Sequence, residues 1–148
     1  MFPTDYSSAA HLIAAFESFS GVAYWDVNAY RIGYGSDTRT AAQTKVQRGD
    51  HETMGDALAN LVRRIPQFEA TIVHQIGSAK WGQVPTPAKN AFLSFAYNYG
   101  SLSHDIVDAF RMGDSRQAIA SLVSAHGEDN NGMNRARRHK EAAIIESC

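Results

Sequence analysis

The chain has 148 residues, 44% of them hydrophobic and 20% charged, with a formal net charge of −1. That length suits one domain with its own core, and the composition excludes a disordered chain. The near-neutral balance offers no general attraction to nucleic acid or an anionic membrane, although basic residues cluster near the C-terminus.

No apolar run approaches the roughly 18 residues of a membrane span. The opening MFPTDYSSAAHLIAAF lacks the basic start of a secretory signal, so no unaided export is expected. Cys148 is the only cysteine, which rules out an intramolecular disulfide and leaves an incidental terminal thiol.

Ser7 or Ser8 is a candidate cap for a first helix through about Phe19, with Leu12, Ile13 and Phe16 on its apolar side and Ser20-Gly21 ending it. Aromatic residues and glycines from Val22 to Thr38, with Asp-Val-Asn at 26–28, predict a two- or three-stranded hairpin. Arg39 to Asp50 is polar and reads as loop or an irregular third strand. Thr53 and Asp56 resemble a capping signal for the helix whose apolar positions are Leu58, Leu61, Val62, Ile65, Phe68 and Ile72. Pro66 interrupts that pattern, so one bent helix or two joined helices are expected.

Ala88, Ala91, Phe92, Phe95, Ala96 and Tyr99 recur at helical spacing and predict the central core helix. Ile106, Val107 and Phe110 predict a short helix closed near Gly113, and Asp114 is a candidate cap for the next, which carries Ala118, Ile119, Leu122 and Val123. A polar loop, HGEDNNG, precedes a last helix from about Asn134 through RARRHKEAAII. With no repeat or low-complexity linker, the prediction is an α+β, mostly helical fold carried by a single domain over residues 1–148.

Two carboxylates stand out. Glycoside hydrolysis uses a protonated carboxyl to donate to the leaving oxygen and a second carboxylate to steer water or stabilise positive charge. Glu17 closes the first helix, where partial burial and the negative helix end favour a neutral acid, and Asp26 sits nine residues on in a more open turn. A solvated helix-end charge and a turn former, the roles most isolated Glu and Asp residues play, also account for the same two residues. Trp25 and Tyr24 flank Asp26 and are candidate sugar-stacking residues, as is Tyr34, while strand alternation predicts that one of Tyr24 and Trp25 is core. Gly33 and Gly35 permit a tight hairpin. The six histidines show no metal-ligand spacing and read as surface residues, so neither metal nor cofactor is expected.

The stretch FESFSGVAYWDVNAYRIGYGSDT resembles the N-terminal signature of the phage-type, T4-like lysozymes, in which a Glu, an Asp nine residues on and then a Thr precede I-G-x-G. TPAKNAFLSFAYNYG and NRARRHKEAAI resemble the family's central segment and its Arg-rich final helix, so the likeness runs from about Ala10 to Ile145. The resemblance implies a lysozyme-like fold, with a small β-lobe over about residues 20–52, a helical lobe over about 1–19 and 54–148, and peptidoglycan bound in the cleft. It implies Glu17 as general acid and Asp26 as the carboxylate that positions water on the β-1,4 bond between N-acetylmuramic acid and N-acetylglucosamine. It also implies Arg135 as the arginine that pairs with the acid, and Asn98 as a contact to an N-acetyl group.

One position departs from the pattern. Where the family has its water-holding Thr, this chain has Arg31, in a loop one residue shorter. Arg31 has no acceptor and cannot act as a base, so Asp37, with Ser36 and Thr38, becomes the candidate substitute. The family implies inversion, with carboxyl groups about 6.5–9.5 Å apart. A lytic transglycosylase and a non-catalytic wall-binding or virion module remain the alternatives. A monomer is expected, made in a host cytoplasm and reaching the wall through a partner's membrane pore or as part of a virion.

Overall fold

Helix α1 runs from Ser7 to Phe16 in the computed structural model, which describes residues 6–39 and 44–148. It stops three residues short of the predicted end because Glu17 turns to extended backbone (φ −89°, ψ 136°), and strand β1 begins at Ser20. Tyr6, not Ser7 or Ser8, takes the N-cap position; its carbonyl accepts from the Ala10 N–H and no side chain caps the helix.

β1 (Ser20–Asp26) pairs antiparallel with β2 (Ala29–Gly33), in the register Tyr24↔Arg31, Trp25↔Tyr30 and Asp26↔Ala29. Part of a third partner lies along β1: Val22 bridges His51, the Ala23 N–H donates to the Asp50 carbonyl, and the Glu52 N–H donates to Gly21. Within the predicted Arg39–Asp50 stretch, Lys45 bridges Thr38, and residues 40–43 lie outside the described residues. Gly33 is required where β2 meets the next helix. Its φ is +64°, and a Cβ there would stand 2.9 Å from the Ala57 Cβ.

α2 (Met54–Ile76) is one continuous helix with Pro66 inside it. Its start is capped as predicted, the Thr53 hydroxyl accepting from the Asp56 N–H at 3.1 Å. Two compact units meet in sequence at Pro66: the described residues of Asp5–Pro66 form one, and Gln67–Cys148 the other. The first holds α1, the hairpin and the start of α2, with Ile13, Ile32, Leu61 and Ile65 buried.

In the second unit, α3 (Ser78–Gly82) buries Trp81, whose indole N–H donates to the fully buried Glu69 at 2.9 Å. α4 (Thr86–Tyr99) carries the predicted stripe, but burial spreads to Leu93 and Ser94 while Tyr99 stays 37% exposed. α5 (His104–Arg111) follows, and α6 (Arg116–Ala125) is capped by Ser115, whose hydroxyl accepts from the Ala118 N–H, in place of the predicted Asp114. The predicted HGEDNNG loop is a 3-10 turn (His126–Glu128) and a short α7 (Asp129–Gly132), in which Asn130 and Asn131 take left-handed backbone. α8 (Arg135–Ser147) then packs on α4 and α6. Among the described residues no helix is long and apolar enough to cross a membrane.

Candidate active site

β1 begins three residues after Glu17 and ends at Asp26, so one strand carries the chain from the first carboxylate to the second. Strand alternation puts Tyr24 and Asp26 on one face, and the register sets Arg31 of β2 directly across from Tyr24. Arg31 is thereby diagonal to Asp26 and donates from Nε to its Oδ2 at 2.9 Å; a second N–H, on Nη1, donates to the Gly35 carbonyl at 3.2 Å. The Tyr24 phenol records the grouping. Partial burial pushes its pKa up, the negative charges of Asp26 and Glu17 push the same way, and Arg31 opposes them.

The opposite face carries Trp25 and Tyr30, edge to face at 5.2 Å. Trp25 is 61% and Tyr24 40% exposed, so the expectation that one of them is core is corrected. A two-stranded ribbon near its turn has too little depth to bury either face. The turn itself is tight: Val27 has φ +53°, and the Asn28 N–H donates to the Asp26 carbonyl at 2.5 Å. A β-branched residue in that region costs about 1–3 kcal/mol. Val27, 89% exposed, has little packing of its own to offset it.

Ser36 and Thr38 are taken up in holding the loop together. Buried Ser36 donates to the Thr38 carbonyl at 2.8 Å, and the Asn60 amide on α2 donates to both Ser36 Oγ (2.9 Å) and the Thr38 carbonyl (3.0 Å). Nothing in the sequence singles out Asn60, whose helical neighbours Asp56, Ala57, Arg63 and Arg64 read as a mostly polar face. Asp37 is half-buried, with its carbonyl accepting from the Val46 N–H. Tyr34 is 9% exposed and its ring packs on Phe19, centroids 5.7 Å apart, so it offers little surface to a sugar.

Asn98 and Arg135 belong to the second unit. Asn98 is exposed, and its side-chain oxygen accepts from Arg138 at 3.1 Å. Arg135 is exposed and pairs with Glu128 at 3.0 Å. The Arg-rich last helix is less exposed than its composition suggests: Arg138 and Glu141 are fully buried and paired at 2.6 Å, and Arg137 reaches the same carboxylate at 3.3 Å. The Arg138 guanidinium lies over the rings of Phe95 and Tyr99, at 4.7 and 5.0 Å from their centres. Burial pushes the Glu141 carboxyl up, and the two arginines and the Ser94 hydroxyl pull it back.

His126, read as a surface residue, proves half-buried between two carboxylates. Its Nδ1 meets Asp129 at 2.7 Å and its Nε2 meets Asp105 at 3.1 Å and the Ser103 hydroxyl at 3.0 Å. This Ser-His-Asp arrangement is not a nucleophilic triad. Burial would lower the imidazole pKa, but the hydrogen bonds and charges of Asp129 and Asp105 hold it up, and Asp105 is a second acceptor for the Ser103 hydroxyl. A cavity of about 230 Å³ in the same unit, lined by Lys80, Val84, Phe92, Phe110 and Arg116 among others, contains none of the predicted site residues. Among the described residues no His, Cys, Asp or Glu cluster has metal-site geometry.

Residues 14–141 match the sequence model of the family described as phage lysozyme. The fold is shared with a variant of P22 lysozyme (TM-score 0.80, 16% identity, covering 98% of this chain and 99% of that one). It is shared too with an endolysin from Escherichia coli O157:H7 phage FAHEc1 (TM-score 0.73, 22% identity, 97% and 93%). A third likeness is to the muramidase domain of SpmX from Asticaccaulis excentricus (TM-score 0.69, 21% identity, 93% and 94%). No curated protein sequence matches significantly.

Proposed function

Because the chain belongs to the phage lysozyme family, we propose that it is an endolysin that hydrolyses the β-1,4 bond between N-acetylmuramic acid and N-acetylglucosamine in peptidoglycan. Glu17 protonates the leaving oxygen, and Asp26 orients the attacking water for direct displacement with inversion. The observation that carries this reading is that one strand, β1, takes the chain from three residues past Glu17 to Asp26. Exposed Tyr24 and Trp25 beside Asp26 supply rings for stacking on sugar. Asp37, Asn98 and Arg135 are kept as supporting contacts, and Tyr34 as an edge contact at most. The enzyme acts as a monomer, needs no cofactor, and reaches the wall through a pore made by a partner or aboard a virion.

The test is lysis of purified peptidoglycan sacculi by the full chain and by Glu17→Gln and Asp26→Asn. Each variant is expected to lose at least about 100-fold in rate, with new reducing ends of inverted anomeric form released by the parent. Anhydro-sugar ends in mass spectra would move the assignment to a transglycosylase. A parent without lytic activity that still sediments with sacculi would make the chain a binding module.

A further inference from the structure

We propose that Arg31 is a positioning residue for Asp26, fixing its carboxylate so that Oδ1 is the oxygen presented to the attacking water; this rests on the hydrolase reading above. The need arises from where Asp26 sits. Its backbone is pinned by the tight turn at Val27, but its side chain is 48% exposed, and an exposed carboxylate turns freely about two torsions. A water-orienting group must be held within a fraction of an ångström of its working position.

The hairpin supplies the restraint. Arg31 approaches diagonally from β2, engages Oδ2 through Nε at 2.9 Å, and ties its other arm to the Gly35 carbonyl at 3.2 Å. A planar, rigid guanidinium anchored at two points has a set orientation, which a lysine ammonium or a short hydroxyl at this position would lack. Because Arg31 has only donors, it cannot accept a proton from water. Its effect on the reaction therefore runs through Asp26. The residue that departs from the family resemblance is thus part of the working site, and the two-residue turn at 27–28 is what lets Asp26 and Arg31 meet, five positions apart.

Steady-state hydrolysis of sacculi by Arg31→Ala, Arg31→Lys, Asp26→Asn and the parent chain tests this. Arg31→Ala is expected to lower kcat by about 10- to 100-fold with KM changed by less than about threefold, the signature of lost alignment. Arg31→Lys, which keeps one donor for Oδ2 and loses the fixed plane, should fall between. Millimolar guanidinium should restore part of the Arg31→Ala rate and none of the Asp26→Asn rate, with thermal midpoints of all variants alike. If Arg31→Ala does not fold, the Arg31→Lys kcat decides alone. An unchanged kcat, or a loss residing in KM, overturns the inference while inactive Asp26→Asn leaves the hydrolase reading standing. Full activity in both Asp26→Asn and Glu17→Gln would overturn that reading itself.

Discussion

Val27 holds a backbone conformation that its side chain disfavours, at the turn that aims Asp26. Asparagine enters the left-handed region readily, so Val27→Asn should raise stability by about 1 kcal/mol, read as a higher thermal midpoint. Glu141 is a different case, a buried carboxylate whose burial cost its partners reduce without cancelling, so that its pKa stays raised. Glu141→Gln leaves Arg138 buried without its counter-charge and should cost about 3–5 kcal/mol in urea unfolding. A much smaller loss would mean that Asn98 and the rings of Phe95 and Tyr99 suffice to hold the guanidinium.

Among the elements, β2 and α2 approach closely at Gly33. A methyl group at Gly33 meets Ala57 at 2.9 Å and forces a positive φ on an alanine, so Gly33→Ala should destabilise by about 1–3 kcal/mol. Adding Ala57→Gly relieves the clash but not the φ. The double variant should then unfold at higher denaturant than the sum of the single effects predicts, and strict additivity would show the contact to be irrelevant. Much of this layer was readable beforehand. The period-3.6 stripe on α4 and the Thr53 cap of α2 both depend on neighbours within four residues; the cap stands as predicted, and the stripe is buried from Ala88 to Ala96 while Tyr99 stays exposed. The end of α1 was misplaced because Glu17 to Ser20 can continue a helix or join a strand, and the pairing of Ser20 with Gly33 goes with the second choice.

Across the larger unit, His126 links the start of α5, through Asp105, to α7, through Asp129, with Tyr99 at the end of α4 donating to Asp129 and Arg138 close by. The imidazole pKa is raised above 6.5, so its contribution to stability is complete below the unfolded value and is lost as pH rises through the folded one. Asp105 and Asp129 are lowered below 3.8, so theirs is complete above that value and is lost as pH falls through their folded ones. Stability should therefore be greatest between the two windows. His126→Gln should flatten the decline in thermal midpoint above about pH 6.5. An equal decline in parent and variant would assign it to other groups.

The candidate site was legible to the extent that it is local. Asp26 and Arg31 lie five residues apart, and a hairpin with a two-residue turn places such residues by alternation and register alone. Even there, the Arg31 bond to Asp26 had to be seen, because a cation at that position can equally turn to solvent. Burial of polar groups lay wholly beyond reach. Ser94 meets Glu141 across 47 positions and Asn60 meets Ser36 across 24, and no periodicity in either segment announces the other. Helical and strand patterns report which way a side chain faces. Whether a charge there finds water or a partner depends on segments that only folding brings together, and for His126 that difference turns a residue read as surface into a half-buried link between two carboxylates.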